Sequence, residues 1–168
     1  MTGHTRTLHL DFLYLDLSQC RRCAGTRAAL EEALAAVGPA LKMMGAVAGL
    51  RETHVTSIAQ AQALGFTASP TVRVDGVDVQ PEAFLSRCAE CGDLCNCSDG
   101  VECREWAWRG ERFTTPPAGL LVEAILQAAL RVSVKAGDMQ ARTPGDSVQK
   151  FFAAQAPKPD CCGQGCAS

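Results

Sequence analysis

The stretch Leu8-His9-Leu10-Asp11-Phe12-Leu13-Tyr14-Leu15-Asp16-Leu17, followed by Ser18-Gln19 and then by Cys20-Arg21-Arg22-Cys23, decides how the chain is read. The leucine-rich run with Phe12 and Tyr14 predicts a buried strand, because it stops at a polar pair. From Ala24 onward, Leu30, Leu34, Val37 and Leu41 recur at intervals of three and four, the pattern of one buried helical face. Pro39 is expected to kink or end that helix. The dithiol therefore falls where a strand passes into a helix. At such a junction the first sulfur meets the unsatisfied N–H groups and the positive end of the helix dipole, which stabilise a thiolate. Cys20 is thus the candidate nucleophile. Cys23, one turn into the helix, is placed to resolve a mixed disulfide on Cys20. The charges of Arg21 and Arg22 further favour thiolate over thiol.

Downstream, residues 46–55 predict a second strand, and Thr56 or Ser57 can cap a short helix that runs through Leu64 and stops at Gly65. Val72 and Val74 alternate before Asp75-Gly76, and Val77 and Val79 alternate after it. That dipeptide accepts the positive φ angles of a type I′ turn, so strands three and four form an antiparallel hairpin. Residues 81–112 interrupt the pattern as an insertion, and Trp106 with Trp108 predicts a small second hairpin turning near Gly110. The two tryptophans are expected to pack the insertion. Thr115-Pro116 predicts a helix start, with Leu120, Leu121, Ala124, Ile125 and Ala128 on its apolar face. Beyond about residue 135 the chain turns rich in Ala, Gly, Gln and Pro, which predicts a flexible tail with at most one short helix near Phe151 and Phe152.

Strand, CxxC, helix, strand, helix, then Ser69-Pro70-Thr71 opening a hairpin, and a final helix: this order resembles the thioredoxin fold. The expected fold class is α/β, a central mixed sheet flanked by helices, with residues 1–134 as a thioredoxin-like domain, the cysteine-rich insertion at 81–112, and a cysteine-containing tail at 135–168. The resemblance implies that Pro70 is a cis-proline facing the dithiol, with Ser69 pairing with substrate backbone. An Xaa-Pro bond allows cis at modest cost. The chain departs from the pattern where Gln19 stands in place of the usual Trp and Arg-Arg replaces Gly-Pro. More narrowly, it is similar to an uncharacterised thioredoxin-like family with CxxC, a Ser-Pro-Thr strand start and an inserted Cys-x-x-Cys-Gly-Asp-Leu-Cys segment.

The chain has ten cysteines in 168 residues. They cluster as Cys20 and Cys23; Cys88, Cys91, Cys95, Cys97 and Cys103; and Cys161, Cys162 and Cys166. Without an apparent export signal the expected compartment is the cytoplasm, where thiols stay reduced unless they bind metal or do redox chemistry. The second cluster offers more than the four thiolates of a tetrahedral zinc site, and Cys88, Cys91, Cys95 and Cys103 are the expected ligands, with Cys97 spare. The insertion is poor in apolar residues, so a crosslink must order it. Two disulfides would serve as well as zinc, and an iron-sulfur cluster ranks third because the spacing matches neither ferredoxin pattern closely. The tail thiols Cys161, Cys162 and Cys166 suit capture of a thiophilic ion such as mercury, arsenite or copper(I).

A net charge of -2 and the absence of any Lys/Arg run argue against nucleic acid. No stretch reads as a membrane span, and no phosphate-cradling glycine loop or Rossmann fingerprint predicts nicotinamide or flavin. Two functions remain open. One is a thiol-disulfide oxidoreductase, acting on a thiol or disulfide partner protein or a small thiophilic substrate. The other is a soft-metal or metalloid protein for trafficking or resistance, using the dithiol and the tail thiols.

Overall fold

In the computed structural model, which describes residues 5–98, 100–131 and 143–155, the molecule is organised around β1 (Arg6–Tyr14). Its even positions Leu8, Leu10 and Phe12 are fully buried, while Leu13 is buried on the opposite side. β1 therefore serves two apolar clusters at once. It pairs in parallel with β2 (Ala46–His54) and antiparallel with β3 (Thr71–Val74), which continues antiparallel into β4 (Val77–Asp78). The result is a four-stranded mixed sheet in the order β2-β1-β3-β4. The β3–β4 turn is made by Asp75 and Gly76 at φ 49° and 80°, positive angles that a short Asp and a glycine without Cβ accept.

Between the two parallel strands runs α1 (Arg21–Met43), which buries Cys23, Thr26, Ala29, Leu30, Ala33, Val37 and Leu41. Pro39 does not end it. Pro39 and Ala35 are both exposed, so the carbonyl that loses its donor faces water, and the cost of an interior proline falls close to the helix end. α2 (Ile58–Ala63) is capped by the Ser57 hydroxyl, which accepts from the Gln60 N–H at 3.1 Å. α4 (Ala118–Leu130) starts after Pro117, two residues later than the Thr115-Pro116 signal placed it, and buries Leu121 and Ile125 in contact with α1.

The insertion forms its own sheet, β5-β6-β7, from β5 (Phe84–Cys88), β6 (Val101–Trp108) and β7 (Glu111–Phe113), with α3 (Ala89–Cys95) between the first two strands. The second hairpin turns at Arg109-Gly110 as expected. Trp106 corrects an expectation. Instead of packing the insertion alone it is fully buried in the main core with Leu8, Leu10 and Phe12, since β6 crosses the end of β3. The crossing is held by the Arg104 N–H, which donates to the Ser69 carbonyl at 2.7 Å. The fully buried Arg104 guanidinium also grips Asp78 at 2.8 and 2.9 Å and the Gln80 carbonyl at 2.9 Å.

The short helix near Phe151 and Phe152 is α5 (Asp146–Gln155). It is not loose chain. Val148 and Phe151 are buried, and the helix packs on α2, α3 and β6, because two apolar side chains one turn apart find the apolar wall left by the insertion. No helix among the described residues is long and apolar enough to cross a membrane.

Candidate metal centre

Cys20 lies at the N-cap of α1, delivered there by the loop that leaves β1. That loop is set by Asp16, whose carboxylate accepts from the Gln19 N–H at 2.7 Å, the Cys20 N–H at 3.3 Å and the Ser18 hydroxyl. The cap makes the Cys20 sulfur an acceptor for the Cys23 N–H at 3.4 Å. Cys23 itself turns inward, with its sulfur 3.4 Å from the Ser69 hydroxyl. The Ser69–Pro70 bond is cis, as the resemblance implies for that position.

Three further cysteines come to Cys20 from the insertion. Cys88 ends β5 and occupies the N-cap position of α3 without a capping hydrogen bond from its sulfur, Cys91 follows inside α3, and Cys103 lies on β6 opposite Ser86. The sulfurs of Cys20, Cys88, Cys91 and Cys103 all lie within 4.8 Å of one another, and all four residues are buried. A tetrahedral ion with metal–sulfur bonds of about 2.3 Å spaces its sulfurs about 3.8 Å apart, so the set fits one ion. An iron-sulfur cluster spreads its cysteines over several metal atoms and fits these distances less well. The four cysteines can therefore hold a single metal ion, and zinc is compatible with an all-thiolate set.

The expected ligand set differs by one member. Cys95 is not in the group: its sulfur is bonded to Cys97, with Cα atoms 5.3 Å apart, and Cys20 takes the fourth place. Cys91 and Cys95 are both buried, one helical turn apart in α3, but only Cys91 brings its sulfur to Cys20. Nothing local in the sequence marks this exchange, since Cys20 reaches the insertion only through the tertiary fold. The tail thiols Cys161, Cys162 and Cys166 lie outside the described residues.

Arg21 and Arg22 also act differently from their expected role beside the thiolate. Arg21 pairs with Glu90 at 2.9 Å on the surface. Arg22 spends its guanidinium on the insertion, donating to the Ser86 hydroxyl at 2.9 Å and to the carbonyls of Arg87 at 2.7 Å and Cys103 at 3.1 Å. Both arginines lash α1 to the segment that carries the other three sulfurs.

The electrostatics follow from crowding five buried thiols together. Hydrogen bonds from Cys103, Cys23, Cys88 and Cys91 hold Cys20 far below the usual thiol range, against the opposing effect of burial. Cys88 is lowered too, mainly by Cys103. Cys103 is pushed up by its bonds to Cys20, Cys88 and Cys91 and by burial. For Cys91 the Cys103 contact pulls down, but Cys20, Cys88 and burial outweigh it. Cys23 is pushed up by Cys20 and by burial. Negative charge thus gathers on Cys20 and Cys88 while their neighbours remain donors. A cation replacing the shared protons would let all four sulfurs ionise.

Fold and site together define a mixed α/β protein with a buried four-cysteine centre formed between its main sheet and an inserted one. The chain matches the family described as domain of unknown function (DUF2703) over residues 8–125, and it belongs to that family. No curated protein and no solved structure matches it.

Proposed function

We propose that this chain is a thioredoxin-like protein whose function is to bind a soft metal ion, zinc(II) or another thiophilic cation, through Cys20, Cys88, Cys91 and Cys103. The observation that carries the reading is convergence: four buried cysteines from separate parts of the chain bring their sulfurs within 4.8 Å. Four thiols enclosed in an apolar cluster repel one another once ionised, and one cation at their centre removes that repulsion. The thioredoxin-like part rests on the element order, from β1 and the CxxC at the start of α1 to the cis Ser69–Pro70 bond, the β3–β4 hairpin and α4. When bound, the ion would supply a crosslink between α1 and the insertion. Asp16 and Arg22 keep the ligand-bearing elements in register for it. A reducing compartment such as the cytosol would keep the four thiols available.

Thiol-disulfide exchange is the second reading, favoured by the Cys23 N–H on the Cys20 sulfur at the helix start. It ranks second because Cys20 and Cys23 are both 0% exposed. The Arg104 N–H also already occupies the Ser69 carbonyl, the group that the resemblance assigns to substrate backbone. β6 would have to leave before a protein disulfide could reach Cys20.

The test is zinc(II) titration of the reduced full chain against a competing chelator, with elemental analysis of freshly purified protein. One tight equivalent is expected, lost in Cys20→Ser and kept in Cys95→Ser. A protein that binds none, yet turns over insulin disulfides, would reverse the order of the two readings.

A further inference from the structure

Cys23 is a fifth buried thiol that the four-sulfur set does not use. It sits one helical turn from Cys20, with its own N–H on the Cys20 sulfur at 3.4 Å. A sulfur that coordinates a metal as thiolate cannot at the same time be half of a disulfide with its neighbour. Cys20 belongs to both arrangements. We infer that metal binding and a Cys20–Cys23 disulfide exclude each other, so that oxidation of the CxxC pair expels the ion and a bound ion shields the pair. The inference rests on the reading of Cys20 as a metal ligand.

The oxidant is a small disulfide, RSSR. The Cys20 thiolate leaves the ion and attacks one sulfur of RSSR, forming a Cys20–S–S–R bond and releasing RS⁻. Cys23 then attacks the Cys20 sulfur, forming the intramolecular disulfide and releasing the second RS⁻. The proton of Cys23 passes to a released RS⁻, giving RSH. Two electrons have moved from the two protein sulfurs to the two sulfurs of RSSR. The ion, left with Cys88, Cys91 and Cys103, departs as those thiolates take protons from water. Because Cys20 and Cys23 are shut off from solvent, the first attack follows an opening of the insertion, and the ion that bridges α1 to the insertion opposes that opening. Coupling of this kind is reciprocal: what oxidation costs the metal, the metal costs oxidation.

The experiment loads the reduced full chain with zinc(II), adds glutathione disulfide, and follows released zinc with a chromophoric chelator while peptide mapping locates new disulfides. The wild type is expected to release its equivalent as the Cys20–Cys23 disulfide forms. Cys23→Ser should load the same zinc and release it at least tenfold more slowly. Cys23→Ala, which buries no hydroxyl, is the second variant and should behave alike. Reduced protein that takes up no zinc overturns the metal reading and the switch with it. Loaded protein that releases zinc as fast in both Cys23 variants, forms its disulfide among Cys88, Cys91 and Cys103, or keeps zinc after Cys20–Cys23 has formed, overturns the switch alone.

Discussion

The main sheet and the inserted sheet are held in place by different physics. Leu8, Leu10 and Phe12 on β1 meet Leu30, Val37 and Leu41 on α1 and Leu121 and Ile125 on α4, an apolar contact that needs no particular pair. The insertion puts its apolar side chains into a second, smaller cluster, where Val101 and its cysteines meet Leu13, Leu15, Val55, Phe66, Val148 and Phe151. Its placement on the main sheet is fixed further by point attachments: Trp106 in the main core, Arg104 on Asp78, Arg22 on the carbonyls of β5 and β6, and three cysteines facing Cys20. A segment with little apolar area of its own can still be ordered if it shares a cluster with neighbouring elements and each further attachment is specific and reaches into an already folded partner.

Trp106→Ala is the sharpest way to break this contrast, since it empties the main core from a residue of the insertion. A loss of about 3–5 kcal/mol is expected in denaturant unfolding. If hydrogen exchange then loosened β5–β7 and left β1 and β3 unaffected, the tryptophan would be a local anchor and not a shared one. Next comes Asp78→Asn, which leaves the fully buried Arg104 without its counter-charge. A cost of about 3 kcal/mol is expected, and replacing both residues with apolar ones should recover most of it.

Cys103→Ser tests the proposed crosslink between α1 and the insertion. Loss of groups that merely support a metal ligand costs about 10–100-fold in affinity, so loss of the ligand should exceed about 100-fold in zinc titration. The same variant should leave the unfolding of the metal-free protein much less changed. Chelation of zinc-loaded protein should raise protease sensitivity at α3, β5 and β6 first. The start of α1 should loosen with them, because Cys20 is one of the four sulfurs the ion would join.

A smaller effect is expected from pH. In reduced, metal-free protein Cys91 and Cys103 are held above the ordinary thiol value of 9.0, so the unfolded chain releases protons there that the folded one retains. Their contribution to stability is complete below that value and falls as pH rises beyond it. Cys20 and Cys88, shifted the other way, are already more ionised in the folded chain. Cys23, raised as well, adds to this in either state, so thermal unfolding between pH 8 and 10.5 should show the metal-free protein weakening more than the zinc-loaded one, whose four ligand thiols are already ionised. Arg21→Gln should do least: its partner Glu90 lies in an exposed pair, worth less than about 1 kcal/mol. A larger loss of zinc affinity would give that surface charge a part in the site.

Much of the main sheet was legible in the sequence because its signals are local. A leucine-rich run, a helical spacing of Leu30, Val37 and Leu41, a serine cap at Ser57 and an Asp75-Gly76 turn each specify their element within a few residues. The placement of the CxxC at the start of α1 followed from the same signals, as did the choice of Cys88, Cys91 and Cys103 from their clustering. The fourth sulfur, the burial of Trp106, the docking of α5 and the use of Arg22 as a tie to β5 and β6 were decided only in three dimensions. Each of these depends on where the insertion crosses the end of β1 and β3. That crossing is set by Arg104, whose backbone meets Ser69 and whose buried guanidinium must find Asp78, residues far from it along the chain and unmarked by any spacing. Periodicity reports which face of an element is buried, whereas the partner that buries it is chosen by the sum of contacts across the folded molecule.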